Sequence, residues 1–372
     1  MKWIETTLGD VCDKITDGTH STVIDDPNGG NYLLSCKNIK NGRVSYSQKD
    51  RTINQETLEF LKRRTSLSQN DVLVSSVGTI GETAYIKEEN PIYDFQRSVA
   101  ILKGNPDEIN YLFLYYTMRV NKTILKSLSD GAVQKCLFLK DFRRFKIRVP
   151  ERLEDQEKIA QVLSSLDSKI ELLQEQNKTL EELSQAIFKN TFSSPHPSWK
   201  INRLGDVLKI SYGKTLPTNC FLDNGYPVFG GNGQIGWYSS FLYEFPQVLI
   251  SCRGAASGKV NISAKKSFIT NNSLVLDFRE SALDYPFLRS WATYNNFSSF
   301  VSGSAQPQIT IESLSSCEIV VPDDKTMERF NLQVEPMFDK ILLNSEQIGT
   351  LEATRDSLLP KLMSGKLELK DC

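Results

Sequence analysis

The 372 residues exceed one average domain and predict two to four structural units. Apolar residues at 40% and charged residues at 24% fit an ordinary globular chain, and no apolar run approaches the 18 or so residues of a membrane span. Net charge is −1, seven cysteines are scattered at 12, 36, 136, 220, 252, 317 and 372 without a CxxC pair, and His20 and His196 are the only histidines. A zinc site is therefore not expected, nor is a disulfide framework. The opening Met1-Lys2-Trp3-Ile4-Glu5 lacks the apolar core of a signal peptide, so a reducing cytoplasm is the expected setting.

In chain order, residues 1–150 are predicted to form a first domain of short strands and long loops. Its apolar runs, such as Val72-Leu-Val-Ser-Ser and Ser98-Val-Ala-Ile-Leu, are bounded by Gly and Asn clusters, with one helical stretch near Ile109–Leu128. Residues 151–198 predict a long helix, because Ile159, Leu163, Leu166, Ile170, Leu173, Asn177, Leu180, Ser184 and Ile187 alternate at spacings of four and three. Residues 199–322 repeat the strand-rich pattern, with a helical stretch at Tyr285–Phe300. Residues 323–372 repeat the helix, with a seam through Val334, Phe338, Ile341, Ser345, Ile348, Leu351, Arg355, Leu358 and Leu362. Pro336 is expected near its first turn, and Gly349 and Pro360 are expected weak points or kinks.

The chain is thus written twice. Trp3-x4-Leu8-Gly9-Asp10-Val11 returns as Trp199-x4-Leu204-Gly205-Asp206-Val207, and Asp71–Gly78 returns as Gln247–Gly254. Gly131-x-x-Gln134 followed by Phe145-x-Ile147-x-Val149-Pro150 returns as Gly303-x-x-Gln306 followed by Cys317-x-Ile319-x-Val321-Pro322. Four landmarks in one order establish a duplication. Charge follows the repeat: the four segments carry net charges of +4, −4, +2 and −3, so only the strand-rich copies suit a phosphate backbone. The expected fold class is α+β: two similar domains separated by two long antiparallel helices forming an intramolecular coiled coil, with a pseudo-twofold internal repeat. A 38-residue helix would be about 57 Å long, enough to act as a ruler between two short DNA segments. Because the copies differ, the segments should differ, unlike the palindrome of a symmetric dimer. A scaffold that joins protein partners through duplicated modules fits the same pattern.

Other chemistry finds less support. Gly231-x-Gly233-x-x-Gly236 matches a dinucleotide fingerprint, but the strand-like Trp237-Tyr238-Ser239-Ser240-Phe241 follows where a helix is needed. Asn90-Pro91-Ile92-Tyr93 lacks the second proline of an adenine methyltransferase tetrapeptide. Pro322-Asp323-Asp324-Lys325 fits a strand-to-helix turn and cap better than a metal site, and Asp17-Gly18-Thr19-His20 fits a hydrogen-bonded turn.

The whole chain resembles the specificity (S) subunits of type I restriction-modification systems. The first copy does so in Leu8–Val11, Thr16–His20 and Asn70-Asp71-Val72-Leu73 through Gly78-Thr79-Ile80-Gly81, and the second in Pro227–Gly236 and Ile250–Gly254. The helices resemble the family's spacers in Asp155-Gln156-Glu157-Lys158-Ile159 and in the closing Leu358–Lys366, although Thr326-Met327-Glu328-Arg329 replaces the Glu-Gln that opens the second. The resemblance implies a non-catalytic, sequence-specific DNA-binding subunit, each recognition domain reading half of an asymmetric bipartite site. It implies as partners double-stranded DNA, two methylation subunits and, for restriction, two motor-nuclease subunits. The chain itself would hold no cofactor. S-adenosylmethionine would sit in the methylation subunit, which flips and methylates adenine, and ATP and Mg in the restriction subunit. Basic residues in Gly-, Ser- and Asn-rich surroundings are the expected DNA contacts: Lys37, Arg43, Arg97, Lys135 and Arg143 in the first domain, and Lys214, Arg253, Lys259 and Lys265 in the second. Gln134 and Gln306 are expected to tie down loops.

Overall fold

A computed structural model describes residues 1–129, 136–279, 281, 283–303 and 305–369. The chain forms two compact units, one of residues 1–171 with 349–372, the other of residues 172–348. Each unit therefore contains one strand-rich domain and part of each of two 40-residue helices, Leu153–Phe192 and Asp324–Met363. Among the described residues no helix is long and apolar enough to cross a membrane.

The two strand-rich domains share a topology. In the first unit an antiparallel four-stranded sheet runs Cys12–Asp17, Val99–Gly104, Val72–Ser75, Thr83–Tyr85. In the second the order is Lys209–Tyr212, Ser273–Asp277, Val248–Ser251, Val260–Ile262. The central strands are buried on both faces, which is why they carry continuous Val/Leu/Ile runs rather than an alternating pattern. Each domain closes its ends as a two-stranded pair, Trp3–Thr7 with Lys146–Pro150 and Lys200–Arg203 with Glu318–Val321. Each also carries a three-stranded sheet with one parallel pairing, Asn31–Leu34 on Tyr93–Phe95 and Tyr226–Gly230 on Phe268–Ile269. The copies diverge at the outer edge of that sheet. The first has the short strand Thr52–Ile53 followed by the helix Gln55–Thr65, whereas the second folds a hairpin, Tyr226–Gly230 with Gly233–Tyr238.

In the first unit, Ile159, Ala160 and Leu163 of one long helix and Leu359, Leu362 and Met363 of the other join a core with Leu8, Phe113, Tyr116 and Ile147. In the second, Phe188 packs with Phe330, Val334, Phe338 and Ile341 against Phe287 and Trp291. Residue pairs from the two helices descend in one as they ascend in the other, so within each unit the helices are antiparallel. The predicted seam is displaced at two points. Asn344 is 1% exposed and takes the core place expected for Ser345, because its Nδ2 donates to Asn177 Oδ1 and Gln176 Oε1, both at 2.8 Å. Phe188 is buried rather than Ile187, drawn in by the ring cluster with Phe192, Phe287 and Phe330.

The second helix is not interrupted at the expected weak points. Helix continues from Asp324 to Met363 through Pro336, Gly349 and Pro360, and Pro336 lies beyond the first turn. All three face solvent, where water takes up the carbonyl that proline leaves without a partner. The helix starts explain the sequence departure between copies. Gln156, 1% exposed, donates to the carbonyls of Pro150 and Glu108 and accepts from Asn110 N–H. In the second copy buried Met327 joins the apolar core, and Asp323 caps the helix by accepting from Thr326 N–H at 2.9 Å and Trp199 Nε1 at 3.0 Å. Those hydrogen bonds hold the Asp323 carboxyl below its ordinary pKa.

Candidate nucleic-acid interface

In both domains the loops at one end of the four-stranded sheet converge through the same connections. In the first, Thr19 bridges Gln96 in parallel, Arg97 N–H donates to Thr19 carbonyl, Ser76 N–H donates to Ser98 carbonyl, and Val77 bridges Cys136. In the second, Lys214 bridges Thr270, Asn271 N–H donates to Lys214 carbonyl, Cys252 N–H donates to Asn272 carbonyl, and Arg253 bridges Gln308. Glycine makes this convergence possible. A Cβ on Gly18 would stand 2.0 Å from Phe95 carbonyl oxygen, and one on Gly213 would stand 2.3 Å from that of Thr270.

The frame is shared but the side chains on it are not. His20 and Arg97 of the first domain stand where the second has Thr215 and Asn271, whose Nδ2 donates to Thr215 Oγ1 at 3.1 Å. His20 Nε2 is 2.7 Å from Asp17 Oδ2, and Arg64 holds the other carboxylate oxygen at 2.5 Å, so the Asp17–His20 segment is the hydrogen-bonded turn its sequence predicts. Nearby Lys37 sits 3.1 Å from Asp50, and Cys36 N–H beside it donates to Ser98 Oγ. Asp50 is pulled down to about 2, first by the Asn38 amide and then by Lys37 and Ser47.

Five of the nine predicted basic positions lie in or beside these converging loops: Lys37, Arg97, Lys214, Arg253 and Lys259, all largely exposed. Three lie elsewhere. Arg43 donates to Glu171 of the first long helix at 3.0 Å, and Lys265 pairs with Glu346 of the second at 3.6 Å, so both fasten a recognition domain to a helix in their own unit. Arg143 donates to Ile15 carbonyl at 3.1 Å, bracing a sheet strand. Lys135 and Gln134 lie outside the described residues, and Gln306 is exposed in the turn closed by Gly303. Sequence reasoning passed over Arg64, Asn232 and Asn271. Arg64 lies in the Lys62-Arg63-Arg64 run, whose helical setting gave no sign that Asp17 would be its partner. The Gly231–Gly236 run is the hairpin turn and its second strand, with no helix to cradle a pyrophosphate. Among the described residues, no group of three or more His, Cys, Asp or Glu side chains is placed to hold a metal.

A duplicated α+β domain whose matching loop ends display different polar and basic side chains defines a class of two-headed, sequence-discriminating module. The chain matches the family described as the type I restriction modification DNA specificity domain over residues 1–182 and 197–340, and it belongs to that family, whose role is DNA-sequence specificity. It is 26% identical to the type I restriction enzyme MjaIX specificity subunit of Methanocaldococcus jannaschii, over 99% of this chain and 94% of that one. It is 22% identical to the EcoprrI specificity subunit of Escherichia coli, over 78% and 75% respectively. The fold is shared with the crystal structure of a type I S subunit from M. genitalium, with a TM-score of 0.62 at 17% identity, covering 100% of this chain and 97% of that one.

Proposed function

We propose that the chain is the non-catalytic specificity subunit of a cytoplasmic type I restriction-modification enzyme, and that each recognition domain reads one half of an asymmetric bipartite DNA site with its converging loops. The observation that carries this reading is the pairing of identical loop connections with non-identical side chains. Thr19–Gln96 and Lys214–Thr270 are the same bridge, yet Arg97 follows one and Asn271 the other. A shared frame presents each head to the duplex in the same way, and different side chains give each head a different half-site. Lys37, Arg97, Lys214, Arg253 and Lys259 are the proposed DNA contacts. The long helices serve as the spacer between half-sites and as the docking surface for two methylation subunits, which carry S-adenosylmethionine. Two restriction subunits carrying ATP and Mg complete the nuclease.

The test is genome-wide adenine-methylation sequencing of the strain that encodes the chain, with the gene intact, deleted, or carrying a foreign recognition domain in place of residues 199–322. Deletion is expected to remove methylation from one bipartite motif, and the replacement to change one half of that motif while preserving the other. A motif that survives deletion, or a replacement that alters both halves, contradicts the reading.

A further inference from the structure

The hairpin that distinguishes the second domain is built as a rigid probe. Its tip is Gly231-Asn232, between the paired residues Gly230 and Gly233. A Cβ on Gly231 would stand 2.6 Å from Ser251 Oγ and 3.3 Å from Asn272 carbonyl oxygen, so only glycine lets the tip seat on the end of the central sheet. Asn261 Nδ2 donates to Gly231 carbonyl at 3.1 Å, and Gly233 turns the chain at φ +103°. The tip is thus clamped from two sides and leaves Asn232 exposed. A two-stranded ribbon of this kind fits the major groove of B-DNA.

Asn232 Oδ1 accepts from Lys259 Nζ at 2.7 Å. An ammonium can only donate, so this contact fixes which end of the amide faces the lysine. Asn232 Nδ2 makes no hydrogen bond among the described residues, and Lys259 Nζ has two further protons. The loop that carries Lys259 is itself held, because Ser251 N–H donates to Lys259 carbonyl and Lys259 N–H to Ala256 carbonyl. The pair therefore presents mainly donors, the Nδ2 protons and two ammonium protons, against one remaining lone pair on Oδ1. An asparagine that reads adenine must donate to N7 and also accept from the N6 amino group at Oδ1. Here one lone pair of that oxygen is taken, and the ammonium beside it opposes the approach of the N6 donor. Guanine presents two adjacent acceptors in the major groove, N7 and O6, and matches a donor pair.

We propose that Asn232 and Lys259 together read a guanine in the half-site of the second domain, an inference that rests on the DNA-reading role proposed above. Among the described residues of the first domain no such pair occurs. There exposed Lys37 is paired with Asp50 at 3.1 Å, and the Asn38 amide is spent on Ser45 carbonyl and the same carboxylate. Lys259 thus biases the chemistry of Asn232: with the lysine present the pair favours an acceptor-rich base edge, and without it the amide offers its donor and acceptor equally, as adenine requires.

The experiment uses the full chain at its native locus, read by genome-wide adenine methylation. In the wild type, the half that changes when residues 199–322 are replaced is expected to contain a required guanine. Lys259→Met keeps the apolar stem and frees Oδ1, so adenine should be admitted at that one position, the preference for guanine falling about tenfold or more. Lys259→Arg restores the donors and should retain guanine. Asn232→Ala should weaken discrimination at the same position, and the other half of the motif should remain unchanged in all three variants. The proposal is overturned if that half contains no required guanine, or if Lys259→Met and Asn232→Ala leave it unaltered. A wild-type gene on which no methylation motif depends would instead overturn the DNA-reading role itself.

Discussion

Asp167 on the first long helix accepts three hydrogen bonds, from Tyr116 hydroxyl at 2.7 Å, Arg119 at 3.2 Å and Arg355 of the second long helix at 2.8 Å. Replacing it with alanine leaves Arg355, 9% exposed, short of its best counter-charge and Tyr116, 1% exposed, without an acceptor. Asp356 still holds Arg355 Nε at 2.9 Å, so the arginine is not stripped of charge compensation altogether. Losing the charged bond should cost about 2 kcal/mol and orphaning the phenol about 1 kcal/mol, roughly 3 kcal/mol in all. For a cooperative unit of about 200 residues, that lowers Tm by about 6–12 °C. The assay is thermal unfolding of the full chain by circular dichroism for Asp167→Ala, Arg355→Met and the double variant. The double variant should be more stable than the sum of the single losses by about 1–2 kcal/mol, since removing both partners leaves no uncompensated charge. A single-variant loss below about 1 kcal/mol, or strict additivity, would refute the view that this carboxylate locks the two long helices to the helix Tyr111–Val120, which carries Tyr116 and Arg119.

Gly18→Ala and Gly213→Ala should each cost about 1–3 kcal/mol, and each should impair only its own half of the methylated motif, because the added methyl meets backbone carbonyl rather than a yielding side chain. Equal damage to both halves would argue against independent heads. Lys214→Ala should weaken DNA binding by the assembled complex and reduce the slope of log affinity against log salt by about 1, and an unchanged slope would remove Lys214 from the phosphate contacts. Asp50, lowered from its ordinary 3.8 to about 2, stabilises the fold above pH 3.8, and that contribution is lost as pH falls through about 2. Asp50→Asn should therefore be less stable than wild type at pH 5, with a gap that closes towards pH 2 in urea unfolding, whereas a constant gap would exclude this linkage. Burial pushes the Cys12 thiol up to about 12, with Asp13 adding to the effect, so Cys12 should resist a thiol-exchange reagent at pH 8 until the chain is unfolded.

Repetition and periodicity were legible in the sequence because they depend on spacing alone. The bridge between Val77 and Cys136 recurs between Arg253 and Gln308, consistent with the repeat offsets of the flanking motifs. The helix seams were legible at most positions that apolar side chains define, Phe188 beside Ile187 being the exception that a ring cluster created. They slipped at Asn344, because a polar residue enters a core only when a partner such as Asn177 is placed across the helix pair, and one-dimensional spacing holds no record of that partner. The basic residues were harder still. Arg43 and Lys259 look alike in sequence, each next to a glycine-rich turn, but Glu171 claims one and the Asn232 amide the other. What separates them is long-range pairing, 128 residues away for Arg43 and 27 for Lys259. The same holds for Pro336: its effect on the helix depends on whether the released carbonyl meets water, which only the folded face decides.

The first unit draws its core from both ends of the chain, while the second is a single uninterrupted stretch, residues 172–348. During synthesis the beginning of the protein therefore cannot finish folding when it emerges. Ile159, Ala160 and Leu163 must wait for Leu359, Leu362 and Met363, made about 200 residues later, and at about 5–20 residues per second that is a delay of about 10–40 s. The middle of the chain has no such wait and can close first. A frameshift or stop codon just after residue 348 would spare the second unit's sequence, yet leave the first with an open apolar seam. Damage at the far C-terminus should thus be felt at the N-terminal head, as aggregation or proteolysis rather than as altered specificity.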